Sequence, residues 1–144
     1  TTGFSPVPMA NQGPLLTVLV GPPPSLTAWY QEQNRTPPPP EQFNTLIDTG
    51  ATRTTVDVEI LEKLGVKPVD WVEVLSPNQS MKNGVYPVSM TLVLGPNRLT
   101  IPTIPVIGSA LKGQPIKGLI GRDILANCVF IYNGVGGHYT LAIG

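Results

Sequence analysis

Short apolar runs, none longer than a strand needs, alternate with glycine- and proline-rich breaks along the whole chain. This pattern predicts a mostly β domain. Leu15 to Val20 reads as a first strand, and Gln42 to Ile47 as a second that leads straight into Asp48. From Val56 to Leu64 the apolar positions Val56, Ile60, Leu61 and Leu64 keep helical spacing, with Asp57 and Glu59 early, Lys63 late and Gly65 beyond. These are the dipole complement and stop signal of a short amphipathic helix. Val72 to Leu75 and Val85 to Leu94 return to a period of two, with Val88, Met90, Leu92 and Leu94 on one face. The polar stretch from Ser76 to Gly84 joins them as a long hairpin with a turn-rich tip. Pro102 and Pro105 interrupt the run from Leu99 to Ile107 and predict an edge or irregular strand there. Ile116 to Ile120 is a further strand, Arg122 to Asn127 a short helix, and Val129 to Tyr132 with Tyr139 to Ile143 a closing hairpin.

Residues 21–40 depart from the pattern. Pro22-Pro23-Pro24 and Pro37-Pro38-Pro39-Pro40 flank Trp29-Tyr30 and a polar stretch. Proline runs favour polyproline II and give no ladder donors, which predicts a stiff surface insertion at 21–41. It serves either as a ligand for an aromatic-grooved adaptor or, as we favour, as a spacer that packs Trp29 back on the body.

Composition narrows the function. The 144 residues suit one domain with its own core. Charged residues are 12% of the chain and the formal net charge is zero, so nothing steers it toward nucleic acid. No apolar run approaches the roughly 20 residues of a membrane helix, and the first residues lack the basic start and apolar stretch of a signal peptide. One cysteine, Cys128, leaves no internal disulfide or thiolate metal cluster, and its apolar neighbours predict a buried, inert thiol. The single histidine, His138, follows three glycines within a predicted hairpin turn, so a solvated turn is expected there. Neither a metal nor an organic cofactor is expected.

Leu46-Ile47-Asp48-Thr49-Gly50-Ala51 carries the chemistry. An Asp-Thr-Gly tripeptide can be an ordinary turn, with Asp capping it and Gly supplying positive φ. Here apolar residues precede it, small ones follow, and a helix comes within a few residues. About seventy positions later stands Gly118-Leu119-Ile120-Gly121-Arg122-Asp123-Ile124-Leu125. In order and spacing these two motifs resemble the retropepsin family, the single-domain aspartic proteases of retroviruses and their cellular and bacterial relatives. The likeness covers roughly residues 14–20 and 42–144.

The resemblance implies one retropepsin-like domain over 1–144, a closed-barrel-like β fold with one or two short helices, assembling as a symmetric homodimer. It implies an aspartic endopeptidase acting on extended peptide or protein substrates. Asp48 would be the catalytic carboxylate, paired with the same residue of a second chain, since the chemistry needs two carboxylates sharing a proton and the chain has no second Asp-Thr-Gly. Thr49, Gly50 and Ala51 would support the site, Thr49 by bonding across the two-fold axis and Gly50 by admitting substrate backbone. The tip formed by Ser76, Pro77, Asn78, Gln79 and Ser80 would be the flap. Ile120, Gly121 and Arg122 would supply the second motif, with Ile120 and the flap strands forming side-chain pockets.

The chain also departs from the family. Thr52 and Arg53 stand where retroviral enzymes commonly carry an acidic residue, so Arg122 must find another acceptor. The hairpin tip has Pro77 and few glycines, which predicts a smaller or differently hinged flap motion. Asp123 is the best rival as a second acid within the chain, though Asp beside a helix start is the commoner reason for such a residue. The other class of function is a weak or inactive dimeric module that binds peptides or directs assembly, with the proline tract as a docking element.

Overall fold

The computed structural model describes residues 2–3, 9–76 and 79–144. Its strands are β1 (Thr2–Gly3), β2 (Leu15–Gly21), β3 (Glu41–Ile47), β4 (Thr55–Asp57), β5 (Asp70–Ser76), β6 (Gln79–Leu94), β7 (Asn97–Ser109), β8 (Gly118–Ile120), β9 (Cys128–Asn133) and β10 (His138–Ile143). The helices are α1 (Met9–Gln12), α2 (Pro24–Glu32), α3 (Val58–Lys63) and α4 (Arg122–Leu125).

Six strands close a barrel in the order β2-β3-β8-β4-β7-β6, with β6 returning to β2. Closure follows from the length of β6. Its first part pairs with β5, from Asp70↔Val85 to Ser76↔Gln79, and the same edge then passes to β2 from Gly21↔Ser89 to Val18↔Leu92. The β5–β6 pair therefore projects from the barrel as an arm, because the β7 ladder begins only at Val85↔Ile107. The predicted hairpin is thus present. Pro77 and Asn78 of the expected flap tip lie outside the described residues.

Alternation decides what fills the barrel. Leu16, Val18 and Val20 of β2 and Val88, Met90, Leu92 and Leu94 of β6 all point inward and are buried with Val56, Val106 and Ile120. Burying an aliphatic side chain of this kind contributes about 1.5–3 kcal/mol, so the barrel interior dominates the stability of the fold.

Several expectations need correction. The segment after β2 contains a nine-residue helix, α2, rather than a continuous polyproline excursion. Pro24 occupies its first turn, where the missing N–H is one of the helix's unpaired donors and the fixed φ suits the helix. Asn34 at φ 55 ends it, with Asn34 N–H donating to the Gln31 carbonyl and Arg35 N–H to the Tyr30 carbonyl. The Arg35 guanidinium lies over the Trp29 and Tyr30 rings at 5.9 and 5.5 Å, while Trp29 itself stays 44% exposed.

The second correction concerns β7, which is one continuous 13-residue strand flanked by both β6 and β4. Its prolines fit because Pro105 sits opposite Pro87, and a pair with no N–H on either side belongs at a ladder position that exchanges no hydrogen bonds. Pro102 falls at the register shift between Val88 and Met90. The β4 ladder starts only at Ile107, so the outer edge of β7 is unpaired where the prolines lie.

Third, α3 starts later than expected. Val56 and Asp57 belong to β4, and Asp57 caps the helix by accepting the Glu59 N–H at 3.1 Å. Gly65, at φ +68, ends α3 as anticipated, with Val66 N–H reaching the Leu61 carbonyl.

A second sheet, β1-β10-β9, covers one end of the molecule. Tyr139 anchors it: its ring lies 5.9 Å from Phe130, and its hydroxyl donates to the Leu15 carbonyl at 2.6 Å. Burial pushes the Tyr139 phenol up to about 12. The unfolded chain loses this proton near pH 10 while the folded chain keeps it, so the contribution to stability is complete below pH 10 and is lost between about pH 10 and 12. Tyr139→Phe is expected to cost about 1 kcal/mol at pH 8 and to flatten the alkaline loss, as read by urea unfolding at pH 8 and pH 11. An alkaline slope equal to that of the wild-type chain would show that another group is responsible. Cys128 at the start of β9 is only partly buried and donates to the Ile124 carbonyl at 3.3 Å, and burial pushes its thiol up. His138 is not in the turn but opens β10, half-buried opposite Asn133.

Candidate active site

The Asp48 turn is built where two parallel strands end together. β8 runs beside β3 with Leu46↔Leu119 and Ile47↔Ile120 in register, and the Asp48 N–H continues the ladder to the Ile120 carbonyl at 2.9 Å. The chain then doubles back: Ala51 N–H donates to the Asp48 carbonyl at 3.1 Å, and Gly50 N–H to Asp48 Oδ1 at 2.9 Å. A side chain at position 50 would place its Cβ 3.1 Å from that carboxylate oxygen, so glycine leaves the acid unobstructed. Asp48 is half-buried, and Thr49 and Gly50 are exposed beside it.

The second motif clamps this turn from behind. Arg122 N–H donates to the Ala51 carbonyl at 2.8 Å. Its guanidinium donates through Nη1 to the Thr49 carbonyl at 2.7 Å and through Nη2 to Thr52 Oγ1 at 3.2 Å. These are the acceptors that replace the missing acidic residue: a backbone carbonyl and a hydroxyl now hold both ends of the fork.

Thr54 and Asp123 form a lock that sequence reading did not find. The Asp123 carboxylate accepts the Thr54 N–H at 2.9 Å and the Thr54 hydroxyl at 2.7 Å, and also its helix neighbour Ile124 N–H at 2.9 Å. The same hydroxyl accepts the Gly121 N–H at 3.1 Å. Both oxygens of Asp123 are thereby engaged in structure, which removes it as a rival second acid. The Asp at the helix start was the available signal; its partner 69 positions away was not. Gly121 lies so close to the Arg53–Thr54 backbone that a Cβ would come within 2.5 Å of the Arg53 carbonyl carbon.

Ile120 must be reassigned. It is fully buried in the barrel, and its neighbour Leu119 faces outward into a cleft of about 530 Å³. A one-residue step along a strand exchanges inside for outside. The floor of this cleft is Ala51, Thr52, Arg53 and Thr55, and the arm contributes Val72 to Leu75 and Asn83. Ile107, Ser109 and Leu111 close the remaining side. Asn83 pins the arm to the barrel by donating to the Gly108 carbonyl at 2.8 Å. The Tyr86 ring fills the space over Gly84 and Gly108, where a Cβ would approach it to 2.8 and 2.5 Å. Of the expected flap residues, Ser76 and Gln79 are register partners at the arm's end, and the Ser80 hydroxyl donates to Glu73 at 3.4 Å.

Among the described residues no group of three or more His, Cys, Asp or Glu side chains is placed to hold a metal ion, and no helix is long and apolar enough to cross a membrane. A family model described as aspartyl protease matches residues 41–124, from the first residue of β3 to the third of α4. The chain belongs to this retropepsin-like aspartyl protease family. The matched span contains the Asp48 turn, the arm and the Arg122 clamp, and leaves out α2 and the terminal sheet. No curated protein matches the chain. Family membership supports aspartic peptidase activity.

Proposed function

We propose that the chain is an aspartic endopeptidase whose active site is completed by a second copy. One observation carries this reading: the Asp48 turn is held by structural hydrogen bonds, yet it supplies a single carboxylate, and an open cleft begins at Ala51 in the same turn. Peptide hydrolysis by carboxylates needs two, one to take a proton from the attacking water and the other to donate to the scissile carbonyl oxygen. Collapse of the tetrahedral intermediate then passes a proton to the leaving nitrogen as the C–N bond breaks. Two symmetry-related Asp48 side chains sharing one proton satisfy this requirement.

In this arrangement Thr49 and Gly50 meet their counterparts across the two-fold axis, which fits their exposure in the single chain. Arg122 fixes the Thr49 carbonyl, so the turn reaches the partner already shaped. The β5–β6 arm acts as the flap, closing over an extended peptide and limiting water access. Leu119, Val74 and Ile107 offer apolar surface to substrate side chains.

Specific activity is expected to rise with protein concentration and to follow the dimer fraction measured by sedimentation on the same samples. Activity independent of concentration in a strictly monomeric protein would overturn the composite site.

A further inference from the structure

Among the described residues Arg53 is the one basic side chain lining the 530 Å³ cleft, whose other walls are mostly aliphatic. It is half-buried, and among the described residues its guanidinium makes neither a hydrogen bond nor an ion pair. The Arg122 guanidinium, by comparison, donates to the Thr49 carbonyl and to Thr52 Oγ1. Backbone geometry holds Arg53 in place: Gly121 packs against its carbonyl carbon and oxygen, and the next residue, Thr54, is locked to Asp123. A planar group with five donors, partly withdrawn from water beside apolar walls, is matched by a carboxylate that accepts two of them.

Glu73 also lines the cleft. Its carboxylate is exposed, receives among the described residues only the Ser80 hydroxyl at 3.4 Å, and stands opposite Lys82 in the arm. It does not pair with Arg53, and its water-facing position screens its charge more than that of the half-buried guanidinium.

We infer that Arg53 makes this cleft a subsite for an acidic side chain, so that the favoured substrates are peptides with glutamate or aspartate among apolar neighbours. The inference rests on the peptidase reading, in that the cleft is taken to receive substrate. The carboxylate sits against the guanidinium, and its methylenes lie on Leu119 and Leu111.

The test uses the intact chain and a peptide set in which each position in turn carries Glu, Gln or Lys. At one position Glu is expected to exceed Gln in kcat/KM by about tenfold, the worth of one charge-assisted contact in a partly open site. Arg53→Gln removes this preference, Arg53→Lys keeps part of it, and Arg53→Glu shifts it toward Lys. A Glu/Gln ratio within about twofold at every position of a cleaving enzyme overturns the subsite and leaves the peptidase reading standing. The same peptides are titrated against Asp48→Asn protein by fluorescence anisotropy. Absent cleavage together with tighter, Arg53-dependent binding of the Glu peptide supports the subsite while the peptidase reading fails. Equal or undetectable binding of both peptides overturns the subsite, and so does loss of the dimer in Arg53→Gln, which makes the guanidinium an interface group.

Discussion

Asp48→Asn is expected to lower kcat/KM for peptide cleavage by about three orders of magnitude or more, because neither proton transfer to nor from position 48 is then possible. The fold should survive the change. Asn keeps the side-chain oxygen that accepts the Gly50 N–H at 2.9 Å, and the backbone bonds from Asp48 to Ile120 and from Ala51 to Asp48 do not involve the side chain. Stability within about 0.5 kcal/mol of the wild-type value is the expectation for a half-buried position that loses no packing. Mixing supplies a sharper version. If each site needs two Asp48 side chains, subunit exchange with the variant at constant total protein lowers activity as the square of the wild-type fraction. A linear decline would mean that one carboxylate suffices, and undiminished cleavage by the variant would move the chemistry elsewhere in the chain.

Thr54→Val is expected to destabilise the protein by about 2–4 kcal/mol, the cost of breaking hydrogen bonds to a charged group and leaving a buried donor unpaired. Thr54 is fully buried, and its hydroxyl donates to Asp123 at 2.7 Å while accepting the Gly121 N–H at 3.1 Å. Valine preserves the shape and removes both bonds. For a domain of this length the thermal midpoint should fall by roughly 5–15 °C. Thr54→Ser keeps the hydroxyl and should recover most of the loss, with a small penalty for the missing methyl group. Because Asp123 directly follows Arg122 in the first turn of α4, peptidase activity should drop with Thr54→Val even at temperatures where the variant is folded. A change below about 0.5 kcal/mol would mean that the lock is redundant with the backbone bonds around it.

These two residues differ in how visible they were. Asp48 stands in a local motif whose meaning is carried by its own neighbours: a strand before it and small residues after it. Thr54 has no such motif, since what gives it a role is a carboxylate 69 residues away. The arm was legible because alternation from Val85 to Leu94 and a polar tip are local facts, and its pinning by Asn83 to Gly108 was not. The helix α2 was hidden by the prolines around it. Composition suggested an extended tract, whereas Pro24 at the first turn and Asn34 at the end are compatible with nine helical residues between them. Likewise Pro102 and Pro105 argued against a central strand, and only the placement of β4 and β6 shows that their missing donors face no partner.

The sequence by itself determined the strand periodicity, the tight turn at Asp48 and the glycines that turns require, because each depends on residues a few positions apart. The tertiary structure decided which neighbour of the second motif faces the cleft, Leu119 rather than Ile120, and what Arg122 holds in place of an acidic residue. It also decided that Asp123 is committed to Thr54 and that Arg53 is left with unspent donors beside an apolar cleft. The reason is physical: strand alternation and turn chemistry are set by local backbone geometry, whereas the phase of a strand against the core and the pairing of polar groups depend on which distant segments close the barrel.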